Sequence, residues 1–464
     1  MQAEQQRIGS DLRVTALCDS MAWTDFAGPM AGWSLPLLPV TADCSSTLQM
    51  TNHKGFILAG GSGTRLHPAK DQLRPVPASG VEVEVNGTEC EPVEINPRKI
   101  PLFSAALVNQ GVDLAGAVTR VLASNSFVMG NEVAKFEAEF ASYIGVTHCV
   151  SVANGTDALE LALRALNLQP GAKVACVANA GFYSATAVHL AGGVPLYVDV
   201  DEHTLTMAPE ALALALRDKP AAVIATHLYG QLAPIERLVE LCRTAGVPLI
   251  EDCAQSHGAS RDGRRAGCFA DLSCFSFYPT KNLGALGDGG AVLTASDAFA
   301  TRLKGLRQYG WSKKYEVSLL GGCNSRLDEM QAAVLREKLP LLERHNAWRR
   351  AIATRYSSAF AGLPLRLPAS VAADFVAHLY VIRTPKRESL RAYLAESGVA
   401  TDVHYPIVDI WQPAVAARYA GISLPVSEEA CATAMSLPCY PGMPDEDVEQ
   451  VIRSVLAFFF RAEG

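Results

Sequence analysis

The sequence predicts an α/β protein: a mostly parallel central sheet covered by helices on both faces, then a smaller C-terminal α/β domain. Three observations predict it. Short apolar runs of strand length alternate with helical segments from residue 147 to residue 307. That alternation is the rhythm of parallel strands joined by helical crossovers and buried on both faces. Composition then shifts near Leu363, where a shorter set of strands and helices begins. The expected domains are 1–99, an N-terminal extension; 100–362, the large domain; and 363–464, the small one.

In chain order, residues 1–50 show no sustained period, and their apolar run at 28–39 is broken by prolines. Residues 54–68, Lys-Gly-Phe-Ile-Leu-Ala-Gly-Gly-Ser-Gly-Thr-Arg-Leu-His-Pro, read as a strand, a glycine-rich turn and a basic residue, the ingredients of a phosphate cradle. Apolar spacing predicts helices over 114–123 and 131–143 and a strand over 147–153. Asn154-Gly-Thr-Asp then opens an amphipathic helix to residue 166. Its first-turn N–H groups suit a phosphate, and they equally suit an ordinary capped helix. Strands follow at 174–178, 194–198, 222–226, 248–251, 272–277 and 291–294, with helices at 210–217, 234–245 and 298–307. Residues 309–325 read as a polar-aromatic loop, 327–338 and 340–360 as helices. In the small domain, strands are expected at 376–384 and 399–404, and helices at 387–397 and 445–459.

With 464 residues, 49% hydrophobic and 19% charged, the chain is globular with a large core. A net charge of -7 gives no support to nucleic-acid binding. No apolar run reaches membrane-spanning length, and the N-terminus lacks a signal-peptide pattern. Twelve cysteines contain no C-x-x-C pair, and Cys149, Cys176 and Cys274 lie in strand-like runs as small apolar residues. Zinc and a disulfide framework are disfavoured, and the setting reads as reducing and cytoplasmic.

The chemistry gathers around Cys274-Phe-Ser-Phe-Tyr-Pro-Thr-Lys281-Asn-Leu-Gly. A buried-strand run stops at Pro279, and a lone lysine follows almost directly. Burying an ammonium is costly, and a neutral or imine-bonded lysine removes that cost. A solvated lysine in a glycine-rich loop is the other reading of this segment alone. Asp252, at a strand end where ligands of parallel sheets collect, either caps the next helix or pairs with a protonated ring nitrogen. Gly155 and Thr156 for a phosphate, Asp252 for a ring nitrogen, Ser276 and Lys281 in succession, and the aromatic pair Phe182 and Tyr183 are together what pyridoxal 5′-phosphate requires.

From about residue 100 to 460 the sequence resembles the DegT/DnrJ/EryC1/StrS family of sugar-nucleotide aminotransferases. The matching runs are Ala153-Asn-Gly-Thr-Asp-Ala-Leu159, His227-Leu-Tyr-Gly-Gln231, Glu251-Asp-Cys-Ala-Gln-Ser-His-Gly-Ala259, the run from 275 to 290, Asn324-Ser-Arg-Leu-Asp-Glu-Met-Gln-Ala-Ala333 and His404-Tyr-Pro406. The resemblance implies the aspartate aminotransferase-like fold, PLP-dependent transferase fold type I. It implies that Lys281 holds the cofactor covalently and shuttles the proton, that Asp252 faces the pyridine nitrogen and that Gln255 faces the phenolic oxygen. Gly155, Thr156 and Ser276 are then phosphate ligands, Tyr183 the stacking aromatic, with Phe182 next. Asn324 reaches the phosphate of a neighbouring subunit, which makes a homodimer with shared sites.

The activity so implied is ping-pong transfer of an amino group from L-glutamate to a nucleotide-linked ketosugar. The loop Tyr309-Gly-Trp-Ser-Lys-Lys-Tyr315 is most similar to members acting at C3 of dTDP-3-keto-6-deoxyhexoses, with C4 amination as the alternative. Tyr309, Lys314, Tyr315 and His404 are the candidate sugar contacts. Lysine at 281 argues against a sugar dehydratase of this fold, which carries histidine there. Lys281, Asp252 and Gln255 together argue against a non-catalytic regulatory protein. Two departures stand out: Thr280 precedes the lysine where relatives often have glycine, and Ala180-Gly-Phe-Tyr-Ser184 replaces an Asn-Thr-Phe-Ile pattern. Residues 54–75 resemble the opening of sugar-1-phosphate nucleotidylyltransferases, and the likeness fades after Pro75, as expected of a fused remnant.

Overall fold

The computed structural model describes residues 99–461. The nucleotidylyltransferase-like run 54–75 lies outside the described residues.

Seven strands form the central sheet: β1 His148–Val152, β2 Lys173–Val177, β3 Val194–Val198, β4 Ala222–Thr226, β5 Leu249–Asp252, β6 Leu272–Ser276 and β7 Gly290–Thr294. Their order is β1-β7-β6-β5-β4-β2-β3. Strand β7 runs antiparallel to both neighbours, and every other pairing is parallel. This is the mostly parallel sheet read from the sequence.

Alternate residues of each strand feed two separate cores. Ala175 and Val177 of β2, with Val223 and Ala225 of β4, pack with Phe136 and Phe140 of the helix Asn131–Ile144. Val174, Cys176 and Ile224 face the other way, onto Leu159 and Leu163 of the helix Gly155–Ala165. A strand buried on both faces must be apolar at both parities. The cysteines at 149, 176 and 274 are buried among these residues.

A third core joins Tyr356 and Phe360 of the long helix Leu342–Ala359 and its end to Tyr380, Ile382, Met435, Val451 and Val455, and includes Ile100 from the other end of the described chain. Its sheet has two strands, Tyr380–Arg383 paired with Ala434–Leu437. The strand expected at 399–404 is irregular instead. Val399 makes a single bridge to Ile100, and Asp402 a single bridge to Ser436. The strand at 434–437 and the helix Pro425–Thr433 were not expected; Ala-Met-Ser-Leu lacks the β-branched and aromatic residues that signal a strand.

The parallel strands β4, β5 and β6 end together at Thr226, Asp252 and Ser276, while antiparallel β7 begins there at Gly290. The residues at this edge are held too closely for side chains at two positions. A Cβ on Gly290 would meet the Asn154 carbonyl oxygen at 2.3 Å, and one on Gly155 would meet the Ser276 Cβ at 2.6 Å. No helix among the described residues is long and apolar enough to cross a membrane.

Candidate active site

A cleft of about 620 Å³ opens at the carboxyl edge of the sheet. Its lining includes Gly155, Thr156, Tyr183, Asp252, Gln255, Ser276, Lys281 and His404. Eight of the residues singled out in the sequence, drawn from five separate segments, therefore converge on one space.

The phosphate-sized end is built at the helix start. Asn154 caps it, its side-chain oxygen accepting from the Asp157 N–H at 2.9 Å. Ser276 ends β6 directly against Gly155, so the helix N–H groups and a serine hydroxyl share one corner. An anion is favoured there by the unpaired amides and the helix dipole.

Asp252 is buried at the end of β5. Its carboxylate accepts from the Ala254 N–H at 3.1 Å and from the Thr226 hydroxyl at 3.2 Å. Burial pushes this carboxyl above its ordinary range; the Ala254 N–H, the Lys281 charge and the Thr226 hydroxyl act in the opposite direction. A cationic partner inside the cleft would return it firmly to the ionised form.

Lys281 follows in a loop closed by its own backbone. The Lys281 N–H donates to the Tyr278 carbonyl at 2.8 Å, and Phe277 and Ala285 tie the loop's two ends. Burial lowers the Lys281 pKa to about 8, against the raising effect of Asp252. A substantial neutral fraction near physiological pH is what a nucleophilic or proton-moving amine needs.

Gln255 sits beside them, its Oε1 accepting from the Tyr229 N–H at 2.6 Å and its Nε2 donating to the Tyr405 hydroxyl at 2.9 Å. Of the aromatic pair, Tyr183 lines the cleft, and Phe182 packs away from it in the sheet's second core. Phe182 takes a left-handed φ of 68° just before the helix Tyr183–Leu190 and donates its N–H to the buried Asp409. That turn aims consecutive residues in different directions. Tyr183 meets Tyr405 edge to face at 5.8 Å. His404 holds Ser436 through Nδ1 at 2.9 Å, and its carbonyl accepts the Tyr229 hydroxyl.

Beneath the cleft, Glu251 is fully committed. It pairs with His227 at 3.0 Å and accepts the N–H groups of Gly267, Phe269 and Ala270. His227 accepts the Ala233 N–H through Nδ1, so its Nε2 carries the proton toward Glu251. The motif residues 227 and 251 thus brace the floor.

Asn324, Tyr309, Lys314 and Tyr315 do not line their own chain's cleft. Asn324 is exposed, and the exposed Tyr309 and Tyr315 form an aromatic ladder with the half-buried Trp311 between them, centroids 5.1 and 5.5 Å apart. Sequence reasoning missed Thr226, Tyr229, His378, Arg349 and Tyr405. Tyr229 and Tyr405 lie inside the quoted motif runs; Arg349 stands in the helix sequence Ala-Trp-Arg-Arg-Ala-Ile with no local signal.

Sheet, cleft, lysine and buried aspartate together define the class: a pyridoxal-phosphate-dependent transferase of fold type I. The residues fit that cofactor: a close-packed anion corner at Gly155, a buried carboxylate whose only described cationic neighbours are groups of its own site, and an amine of lowered pKa. The chain belongs to the DegT/DnrJ/EryC1/StrS aminotransferase family, which it matches over residues 109–456. It is 42% identical over 360 residues to a dTDP-3-amino-3,4,6-trideoxy-α-D-glucose transaminase of Streptomyces venezuelae, covering 76% of this chain and 94% of that one. Among solved structures it is similar to S. venezuelae DesV, at a TM-score of 0.76 and 39% identity over 78% of this chain and 98% of that one. It is also similar to NtdA from Bacillus subtilis with bound cofactor PMP, at a TM-score of 0.75 and 29% identity over 80% and 86% of the two chains.

Proposed function

We propose that this aminotransferase moves the amino group of L-glutamate to C3 of a dTDP-linked 3-keto-6-deoxyhexose, in two half-reactions sharing one cleft, in the cytoplasm. The observation that carries the reading is Lys281, its pKa lowered to about 8 by burial, lining the same cleft as the buried Asp252 and the helix start at Gly155. The C3 assignment is supported by kinship with a transaminase named for a dTDP-linked 3-amino sugar.

Bound at Lys281, pyridoxal phosphate supplies a carbonyl that receives amines and a ring that accepts the electrons of a deprotonated Cα. Asp252 stays ionised and holds the ring nitrogen's proton. Gly155, Thr156 and Ser276 bind the phosphate, which fixes the register of everything else. Gln255, anchored at both ends by Tyr229 and Tyr405, turns its amide toward the phenolic oxygen. Tyr183 covers one ring face. With the cofactor's carbonyl occupied by the donor's nitrogen, Lys281 Nζ would be free to take the proton from the donor Cα as general base and pass it to the cofactor as general acid. In the second half the same Nζ would carry a proton the opposite way, from the cofactor to the sugar carbon.

The exposed Asn324 and the loop of Tyr309, Lys314 and Tyr315, with its aromatic ladder, support a homodimer in which each loop completes the other subunit's site. Asn324 of the partner subunit would then reach the phosphate, and the ladder with His404 would frame the sugar.

Purified holoenzyme is expected to show a visible band that L-glutamate bleaches with release of one equivalent of 2-oxoglutarate. A protein that stays colourless with added cofactor contradicts the reading.

A further inference from the structure

Residues 404–411 belong to the C-terminal part of the chain, yet they pack on the large domain. Val408 and Ile410 are buried in the sheet's second core with Cys176 and Ile224. The Asp409 N–H donates to the Ala178 carbonyl, just past the end of β2, at 2.8 Å. From this position the segment reaches the cleft's lining twice. The Tyr405 hydroxyl accepts from Gln255, and the Asp409 carboxyl accepts the Phe182 N–H at 2.9 Å.

The mechanism uses Gln255 but gives Asp409 nothing to do. Asp409 is only 1% exposed, and the Phe182 N–H is the one hydrogen bond its carboxyl makes among the described residues. No cation faces it there. Burying a carboxyl in that way is costly. Burial pushes it up to about 8 against the lowering effect of the Phe182 N–H, so near neutral pH it is held largely as the uncharged acid. What it supplies is an acceptor rather than a charge.

That acceptor serves a turn that resists forming. Gly181 and Phe182 are consecutive left-handed residues, with φ of 78° and 68°. Glycine takes this conformation freely, and a Cβ at 181 would meet the Tyr405 ring at 2.8 Å. Phenylalanine resists it, because its Cβ crowds the following carbonyl. The next residue is Tyr183, which lines the cleft edge to face with Tyr405. Holding the turn at 182 therefore fixes where Tyr183 stands.

We propose that Asp409 is a positioning residue for the cofactor: through the Phe182 N–H it sets Tyr183 in place over the ring before the cofactor arrives. The inference rests on the reading above that Tyr183 covers one ring face, and it adds what holds it there. Asp409 itself does not line the cleft, so it acts only through the turn. A group fixed in advance spends less binding energy on ordering.

The test titrates cofactor-free protein with pyridoxal 5′-phosphate and reads the dissociation constant and the circular dichroism of the visible band. Asp409→Leu, similar in shape but without an acceptor, is expected to weaken cofactor binding about tenfold and to shrink the dichroism. Asp409→Asn keeps the acceptor and should stay within about twofold of wild type. Tyr183→Ala should lose at least as much as Asp409→Leu, and the double variant no more than Tyr183→Ala alone. A role confined to capping the helix Tyr183–Leu190 would lower the melting temperature and leave cofactor affinity and dichroism unchanged; that result overturns the proposal. Equal losses in Asp409→Asn and Asp409→Leu, or additive losses in the double variant, overturn it too. Tyr183→Ala without effect defeats the ring-cover reading itself, and the role of Asp409 falls with it. Should Asp409→Leu fold poorly, amide hydrogen exchange of the cofactor-free wild type still decides: the Phe182 N–H should already be protected, and free exchange there until the cofactor binds overturns the assignment.

Discussion

Cofactor-loaded Lys281→Ala is expected to lose the glutamate half-reaction by on the order of 10⁴-fold or more, the largest effect any single substitution should have. No other described amine lines the cleft. Arg349 is a permanent cation, and burial lowers His378 and His404 below their ordinary range without placing either as the cofactor's attachment point. The lysine's pKa of about 8 reflects burial, with Asp252 pulling it back upward, so the site balances an attackable neutral amine against a nearby acid. The variant should still bind pyridoxal phosphate through the corner at Gly155, Thr156 and Ser276, with an altered absorption band. Stopped-flow mixing with glutamate checks this directly. Bleaching at the wild-type rate would show that another group moves the Cα proton.

Asp252→Asn comes second. The amide is nearly isosteric; its oxygen can still accept from the Ala254 N–H, and its NH2 can donate to the Thr226 hydroxyl where the aspartate oxygen accepted from it. What disappears is the charge that keeps the ring nitrogen protonated. Losing one partner of a buried, hydrogen-bonded charge pair costs about 3 kcal/mol, roughly 100-fold in rate. The loss should appear in both half-reactions, because the same ring serves both. Retention of wild-type rates in both halves would remove Asp252 from the mechanism.

How far the sequence carried this picture depends on how local each signal is. All seven sheet strands were legible because burial on both faces demands apolar residues at both parities, a requirement of the segment itself. The strand at 399–404 failed because its pairing is decided elsewhere. Its neighbours contribute only single bridges, to Ile100 and Ser436, while 434–437 takes the place beside 380–383. At the cleft, Gly155, Asp252 and Ser276 could be singled out because each occupies a strand end or helix start with its own pattern, and Lys281 because it follows such a strand end in a short loop. Tyr183 against Phe182 could not be decided from composition, since the choice is made by a left-handed turn at 182 and a buried Asp409 more than 200 positions away. Arg349 left no trace in the sequence for a similar reason: the Ala377, His378 and Cys439 carbonyls that hold it come from 28 to 90 positions away.

The measurement closest to the central claim is product NMR after incubating holoenzyme and L-glutamate with dTDP-3-keto-6-deoxy- and dTDP-4-keto-6-deoxyhexoses in parallel. The account predicts a new amine-bearing carbon at C3 from the 3-keto sugar, with 2-oxoglutarate formed in step. Nitrogen appearing at C4, or amination of neither sugar by a glutamate-bleached enzyme, would contradict it.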